Sequence, residues 1–185
     1  MCREKQNILM NRRRFLSTAV LTATALVFHP PKLSWATTGC RSLSFHHTHT
    51  GEKLDITYSR AGLYNPGSLE EINYFLRDFR TGDVHPIDPK LLDLLCSVKQ
   101  ELGGAGIFEV ISGYRSPKTN RQLRRKSSGV AKHSLHMVGK AIDIRLTGVK
   151  TRKLQQCALG LQCGGVGFYA KSDFVHLDTG RVRFW

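Results

Sequence analysis

Short runs in which apolar and polar residues alternate predict several β-strands in this chain. The clearest run is AIDIRL, in which Ile142, Ile144 and Leu146 fall on one face and Asp143 falls on the other. Burial of the apolar face would present Asp143 to a cleft. Further strands are expected in a hairpin that turns around residues 50–52, in segment 108–111, in DFVHLDTG, and in the terminal RVRFW, where Val182 and Phe184 should pack.

Apolar spacing and capping residues predict four helices. The first is expected to be capped by Ser68, with Glu71 in the capping-box position. The second is expected to begin at Asp88, before a proline, and the third at Ser116, also before a proline. The fourth should begin near Val149 and cover the back of the sheet.

The spacing of His136 and Asp143 indicates a turn between them if they share a metal ion. On an unbroken helix, residues seven apart lie about 10 Å apart along the axis, which is too far. On an unbroken strand, an odd offset sends the two side chains to opposite faces. Gly139 lies between them and allows a tight turn, so the two side chains could approach one ion.

His176 is the candidate third ligand, because no other histidine lies downstream in the sequence. GGVGFY and a short AKS turn precede its strand, so a hairpin could return it to the side of Asp143. Two histidines and one carboxylate with an open fourth position form the ligand set of a catalytic zinc ion. The sequence therefore predicts a Zn²⁺ site made of His136, Asp143 and His176.

The motif S-x-H-x-x-G-x-A-x-D begins at Ser134, and D-x-x-H follows it about thirty residues later. This combination resembles the zinc peptidases of the D-alanyl-D-alanine carboxypeptidase family, relatives of lysostaphin-type enzymes and of the hedgehog signalling domain. The resemblance covers roughly residues 40 to 185. Together with the pattern of strands and helices, it implies an α+β fold in which a small antiparallel β-sheet carries the zinc site and helices flank it.

The resemblance also implies roles for particular residues. In this family the S-G-Y-R-S loop contributes an arginine near the zinc, and that role falls on Arg115, which would stabilise an oxyanion or clamp a carboxylate. Asp173, which lies three residues before the last histidine, is the expected general base. Many relatives have the longer glutamate there, so His133 is a rival for this role. Asp178 shares a strand face with His176 and is better placed to orient its ring.

Family members that resemble this chain over its length cut peptide cross-links of peptidoglycan and favour the L,D link between two diaminopimelate residues. The resemblance therefore implies a murein endopeptidase. A D-alanyl-D-alanine carboxypeptidase would use the same zinc group and remains an alternative. A non-catalytic peptidoglycan-binding module with structural zinc is another, because the hedgehog relatives keep a similar site in a binding domain.

Residues 1–36 have the features of an export signal. NRRRFL precedes an apolar run that ends at Phe28, and Ser34-Trp35-Ala36 resembles a cleavage site. The paired arginines are typical of the twin-arginine type, and the apolar run is shorter than the ~20 residues that span a bilayer. We therefore expect residues 37–185 to form one zinc peptidase domain in the periplasm, with no stable membrane insertion.

The chain has a net charge of +14, and residues 37–185 keep 22 basic and 13 acidic residues, a net charge of +9. Such a charge is common in nucleic-acid-binding proteins. An exported chain does not normally meet nucleic acid, so the anionic peptidoglycan is the expected partner. The basic segment 121–132 is either a rim that meets this polymer or a simple exposed loop.

Cysteines and the remaining histidines add two expectations. An oxidising compartment favours at least one disulfide among the four cysteines left after removal of the leader, with the pairing open: Cys40, Cys96, Cys157 and Cys163. His46, His47 and His49 lie in the opening hairpin and are expected at the surface or on an edge strand, because the later trio already supplies a full ligand set.

Overall fold

Eight β-strands form a single sheet in the computed structural model of this chain, which describes residues 39–127 and 129–185. The predicted leader, residues 1–36, lies outside the described residues. The strands are β1 (Cys40–His47), β2 (Lys53–Arg60), β3 (Leu63–Tyr64), β4 (Phe108–Ser112), β5 (Ala141–Leu146), β6 (Gly165–Tyr169), β7 (Phe174–Asp178) and β8 (Arg183–Phe184). The helices are α1 (Pro66–Phe75), α2 (Pro89–Glu101), α3 (Pro117–Lys126) and α4 (Thr151–Leu161), and a 3₁₀ turn covers Leu135–Val138.

The predicted α+β class is confirmed, and the sheet is larger than expected and mixed. Its strand order is β3-β2-β1-β4-β5-β7-β6-β8. Most neighbouring strands are antiparallel, but β1 runs parallel to β4 and β6 runs parallel to β8. Each parallel pair joins strands that are distant in the sequence, so alternation along the chain could not reveal their direction.

One face of the sheet packs against helices α1, α2 and α4 in a single hydrophobic core. On β5, Ile142 and Ile144 belong to this core, so Asp143 between them lies on the other face. On β7, Val175 belongs to the core and His176 lies on the other face. Two neighbouring strands therefore present their polar residues on the same side of the sheet, as the alternation predicted.

Capping residues set the starts of the helices. Asp88 and Ser116 cap α2 and α3 through side-chain hydrogen bonds to the first turn, as predicted. The predicted start of α1 is wrong by a few residues. The helix is capped by Asn65, whose side chain accepts a hydrogen bond from the Ser68 N–H, and Pro66 occupies the first turn.

His47 departs from the expectation of a surface or edge-strand residue. β1 lies between β2 and β4 inside the sheet, and the His47 side chain is 0% exposed. Its ring contacts Phe75 and Phe79, with centroid separations of 6.0 and 5.4 Å. His49 is exposed, as expected, and stacks on Phe79 at 4.3 Å.

The terminal strand forms as predicted, but it packs differently. Val182 and Phe184, which were expected to be buried, are 53% and 77% exposed. The main chain of Trp185 instead continues the hydrogen bonding with β6, donating to Val166 and accepting from Phe168. This end of the chain is therefore held by main-chain hydrogen bonds to β6 rather than by burial of Val182 and Phe184.

Neither a cross-link nor a membrane-spanning helix occurs in the described part of the chain. The four cysteines there are all free, so the expected disulfide is wrong for these residues. Within the same residues, no helix has both the length and the apolar character that crossing a bilayer requires. Residues 39–127 and 129–185 belong to one compact unit held by its hydrophobic core.

Candidate metal centre

The side chains of His136, Asp143 and His176 converge on the polar face of the sheet, and all three are buried. Asp143 Oδ1 lies 2.8 Å from His176 Nδ1 and 3.3 Å from His136 Nε2. The two ring nitrogens are 3.2 Å apart. No other group of three potential metal ligands within the described residues comes as close together.

The backbone brings these residues together in the way that their spacing required. His136 lies in the 3₁₀ turn, which ends at Gly139 with a φ of 65°. A Cβ atom on Gly139 would lie 2.1 Å from the carbonyl oxygen of Pro86, so only glycine fits there. The chain then enters β5, where Asp143 is paired directly with His176 of β7 in the antiparallel ladder.

Each of the two histidines has one ring nitrogen engaged by a protein acceptor. His136 Nδ1 donates to the main-chain carbonyl oxygen of Gly113 at 2.7 Å, and His176 Nε2 donates to Asp178 Oδ2 at 3.1 Å. Because these oxygens only accept hydrogen bonds, the remaining nitrogens, which face Asp143, are the ones available to a metal ion. Asp178 thus lies where it can orient the His176 ring.

Burial and mutual contacts shift the pKa values of the three side chains. Burial opposes ionisation of Asp143, but His136 and His176 outweigh it and hold the pKa of this carboxyl well below its usual range. Burial lowers the pKa of His136. In His176 burial acts in the same direction, but hydrogen bonds with Asp143 and Asp178 outweigh it and raise the pKa. Because metal binding through Nδ1 requires that this nitrogen carry no proton, metal binding and the ionisation of His176 are linked.

The three side chains fit a zinc ion. Zinc binds histidine nitrogen and carboxylate oxygen at about 2.0–2.2 Å in tetrahedral arrangements, so its ligand atoms lie roughly 3.3 Å from one another. The three candidate ligand atoms lie between 2.8 and 3.3 Å apart. Both histidines also have the hydrogen-bonded outer nitrogen that metal-binding histidines usually show.

Arg115 lies beside this group and is held by its loop. Its side-chain Nη2 is 3.4 Å from Asp143 Oδ2. Its main-chain N–H donates to the main-chain carbonyl oxygen of His136 at 3.1 Å. The buried Asp78, which no motif in the sequence marked, accepts a hydrogen bond from the Ser116 N–H at 2.8 Å. The Nε atom of Arg115 is buried without a partner among the described residues. The guanidinium is therefore held beside Asp143 with one of its donors unpaired among the described residues.

A cavity of about 500 Å³ opens onto the candidate ligands. Arg115 and His133 both line it, so two of the three residues predicted to take part in catalysis border one space. The structure does not bring Asp173 to this cavity. Asp173 lies in the turn before β7 with a φ of 49°, accepts a hydrogen bond from Thr151 at 2.7 Å, and lies 3.9 Å from Arg145 on the wall of a separate cavity.

No pattern in the sequence pointed to the aromatic side of the cavity. Tyr169, Phe174 and Trp185 line it, and the rings of Tyr169 and Phe174 stack with centroids 4.5 Å apart. The first two residues end β6 and begin β7, where an aromatic residue is equally typical of a core strand. Trp185 reaches the cavity only because β8 pairs with β6, a contact that no local pattern predicts.

Arg183 was also missed, and it supports the site through Asp178. Its Nη2 and Nη1 donate to the two oxygens of Asp178 at 2.7 and 3.1 Å. The N–H groups of Gly165 and Gly180 donate to Asp178 as well. Burial opposes ionisation of Asp178, but bonds with His176, Arg183 and Gly180 hold its pKa well below the usual range. The carboxylate behind His176 is therefore charged and fixed in position.

Two buried histidines and a carboxylate, with an arginine at the edge of the same cavity, define a site of the kind found in metal-dependent hydrolases. Comparison with known proteins agrees with this class. A family model described as "Peptidoglycan L,D-endopeptidase MepK" matches residues 35–185. The chain belongs to this family of M15 peptidases, which are metal-dependent, and it is a peptidase. The resemblance inferred from its motifs is confirmed.

Two relatives show how far the similarity extends. A protein of Haemophilus influenzae named "Probable peptidoglycan L,D-endopeptidase MepK" is 41% identical over 177 residues, covering 95% of each chain. A protein of Escherichia coli K12 named "Peptidoglycan L,D-endopeptidase MepK" is 38% identical over 176 residues, covering 95% of this chain and 97% of its own. The similarity therefore includes all the elements that carry the candidate metal centre.

Proposed function

We propose that this protein is a zinc-dependent murein endopeptidase that hydrolyses peptide cross-links of peptidoglycan in the periplasm. The observation that carries the proposal is the convergence of His136, Asp143 and His176 beside a cavity that Arg115 and His133 also line. The names of its relatives support peptidoglycan as the substrate. Residues 1–36 are proposed to be the export signal, of the twin-arginine type, and residues 37–185 the active domain.

Each residue of the site is proposed to have a separate role in amide hydrolysis. His136, Asp143 and His176 would hold the zinc ion, which would supply the Lewis acid that makes water nucleophilic near neutral pH. Arg115 lines the cavity beside Asp143, so its positive charge is proposed to stabilise the negative charge that develops on the carbonyl oxygen of the substrate. Asp178 keeps the His176 ring in its orientation.

The general base is proposed to be His133. It lines the cavity, whereas Asp173 is engaged by Thr151 elsewhere. Apart from the three candidate ligands, the titratable residues that line the cavity are His133, Tyr169 and the two arginines, Arg115 and Arg183. Histidine is the side chain that most often transfers protons in enzymes. It would accept the proton of the attacking water and return it to the leaving amine.

The preferred cross-link is proposed to be the L,D link between two diaminopimelate residues. Support comes from the relatives, whose names specify L,D-endopeptidase activity. A D-alanyl-D-alanine carboxypeptidase would need the same metal group, so the metal site alone does not separate the two activities. Product analysis does separate them, because an endopeptidase lowers the number of cross-linked dimers.

The test is digestion of purified cross-linked peptidoglycan with residues 37–185, with and without a zinc chelator, followed by chromatography of the muropeptides. We expect loss of L,D-linked dimers and gain of monomers, blocked by the chelator and restored by zinc. His136→Ala should lose both metal and activity, whereas His46→Ala, which removes a histidine outside the site, should keep both. Shortened stems with unchanged dimers would point to a carboxypeptidase, and unchanged muropeptides would point to a binding module.

A further inference from the structure

Trp185 occupies an unusual position for an aromatic residue at the edge of a sheet. Its ring lies beside a candidate ligand, with its centroid 5.3 Å from that of His176. The residue is 48% exposed, and it lines the same cavity as the metal ligands. Part of the indole surface therefore faces the space in which a substrate would lie.

The indole is held in place from three directions. Its Nε1 donates to the hydroxyl of Tyr169 at 3.0 Å, and the guanidinium carbon of Arg183 lies 5.0 Å from its centroid. The main-chain N–H and carbonyl oxygen of Trp185 are both hydrogen-bonded to β6. A ring with its polar group satisfied and its backbone fixed loses little further freedom when a ligand binds.

Gly167 makes this position possible. In β6 it is paired with His176 of β7, so the two share one level of the sheet. A Cβ atom on Gly167 would lie 2.7 Å from Cε2 of Trp185 and 2.8 Å from Cζ2 and Nε1. The absence of a side chain at Gly167 thus lets the indole lie directly against the strand, next to the metal group.

A role in packing alone does not account for these features. A tryptophan that only closes the edge of a core is expected to be largely buried, whereas Trp185 keeps about half of its surface exposed and is absent from the hydrophobic core. The neighbouring Arg183 already has its two terminal nitrogens on Asp178. The free surface on this side of the cavity is therefore mainly aromatic, and it suits the apolar part of a ligand.

We propose that Trp185 is a specificity-determining residue that contacts the substrate. Its indole forms the apolar wall of a subsite for the methylene chain of the diamino acid through which two stem peptides are joined, and Tyr169 holds the ring in position. This proposal rests on the proposed function, and it adds the residue that contacts the aliphatic part of the cross-link. Arg115, which lines the same cavity, is the residue proposed to stabilise the negative charge on the carbonyl oxygen of the substrate.

The test compares Trp185→Ala and Trp185→Phe with Phe184→Ala, using a soluble cross-linked muropeptide dimer as substrate. Phe184 is the matched control, because it is the adjacent residue of β8 and is 77% exposed. We expect Trp185→Ala to raise KM roughly tenfold with a smaller change in kcat and unchanged zinc content, and Trp185→Phe to have an intermediate KM. Phe184→Ala should behave like the unaltered protein.

A second measurement covers the case in which Trp185→Ala does not fold. The chain has two tryptophans, Trp35 and Trp185, so residues 37–185 contain only the one at the site. Rapid mixing of this chain with the dimer should change the indole emission before turnover, with a midpoint near the measured KM.

Each outcome decides the proposal. Unchanged KM in Trp185→Ala, loss of zinc in that variant, or an emission that does not respond to the dimer would overturn it. An unaltered protein that fails to cleave the dimer at all would instead overturn the proposed function.

Discussion

His136 and His176 are prepared for a metal ion in different ways. His136 donates from Nδ1 to a main-chain carbonyl, a neutral acceptor. His176 donates from Nε2 to Asp178, a buried carboxylate that is itself bound by Arg183. A charged acceptor makes the imidazole a stronger base, and this raises both its affinity for a metal ion and its affinity for a proton.

The choice of general base can be tested at single residues. We expect His133→Ala to lower kcat by about a hundredfold or more with unchanged zinc content, because it removes the proton acceptor from the cavity. Asp173→Ala is the matched variant and should change kcat by less than about threefold, because Asp173 lies on another cavity. Assays on soluble dimers, with metal analysis of each variant, measure both. The opposite ranking would return the role to Asp173.

His47 should make the folded state sensitive to mild acid. Burial, together with the positive charge of neighbours such as Arg77, lowers the pKa of His47 from 6.5 to about 4. Between these values the unfolded chain binds a proton that the folded chain does not. The neutral His47 therefore causes no loss in the free energy of unfolding above pH 6.5. As the pH drops towards 4, this residue lowers the free energy of unfolding by at most about 3 kcal/mol.

The variant His47→Phe keeps an aromatic ring between Phe75 and Phe79 and removes the titratable group. Urea unfolding at pH 7 and at pH 5 measures the effect. The unaltered protein should lose more free energy of unfolding between these two values than the variant does. Equal losses in both proteins would show that another group is responsible for the pH dependence.

At the scale of elements, the metal group depends on a turn followed by two paired strands. The 3₁₀ turn places His136, the positive φ of Gly139 redirects the chain, and β5 and β7 place the other two ligands in register. Because an antiparallel register fixes both faces of each strand, Asp143 and His176 cannot be separated without disrupting the sheet. The turn is therefore the part of the site that a single substitution can alter.

Gly139→Ala should displace this turn, and Gly148→Ala provides a matched control. Both glycines have positive φ angles, 65° and 77°, but a Cβ atom would meet Pro86 only at Gly139 and nothing within 4 Å at Gly148. We expect Gly148→Ala to lower the free energy of unfolding by about 1 kcal/mol, from backbone strain alone. Gly139→Ala should lower it by about 3 kcal/mol or more and weaken zinc binding. Chemical unfolding and metal titration check this, and equal losses would contradict it.

The parts of this fold that the sequence predicted are those set by local chemistry. Alternation along AIDIRL identified β5 because the side chains that face the core occupy every second position of a strand. Asp88 and Ser116 marked helix starts because few other residues cap as well. Contacts between distant segments were not predictable in this way. The burial of His47 depends on the parallel pairing of β1 with β4, which only the assembled sheet shows.

In the candidate site as well, some residues could be predicted from the sequence and others could not. The three metal ligands followed from spacing and motif, and the structure brings them together. Asp173 was chosen by its distance in sequence from His176, yet on a strand an offset of three places two residues on opposite faces. Asp173 lies outside β7 in a turn with positive φ, and its side chain follows that turn. The geometry of the preceding turn, rather than the motif, decides where this carboxylate lies.

At the scale of the whole molecule, positive charge is concentrated beside the site. Helix α3 contains five exposed cations and no acidic residue, and the segment after it lines the cavity through residues such as Val130 and Ala131. An anionic polymer would be attracted to this region over a distance set by the Debye length, about 10 Å at 0.1 M salt. A small soluble fragment would contact less of it.

Added salt should therefore slow cleavage of intact peptidoglycan more than cleavage of soluble dimers. Arg121→Glu combined with Arg124→Glu should reduce cleavage of the intact polymer by about tenfold and leave the soluble reaction nearly unchanged. Lys90→Glu combined with Lys153→Glu makes the same change in net charge on α2 and α4 and is the matched control. Equal losses in the two double variants would attribute the effect to net charge alone.

The free thiols have a consequence for where the domain can fold. Cys40, Cys96, Cys157 and Cys163 are unpaired, and the hydrophobic core of the described residues forms without a cross-link between them. A fold of this kind is reached equally well in a reducing and in an oxidising compartment, because no covalent step limits it. For the export proposed above, folding can therefore precede or follow transport.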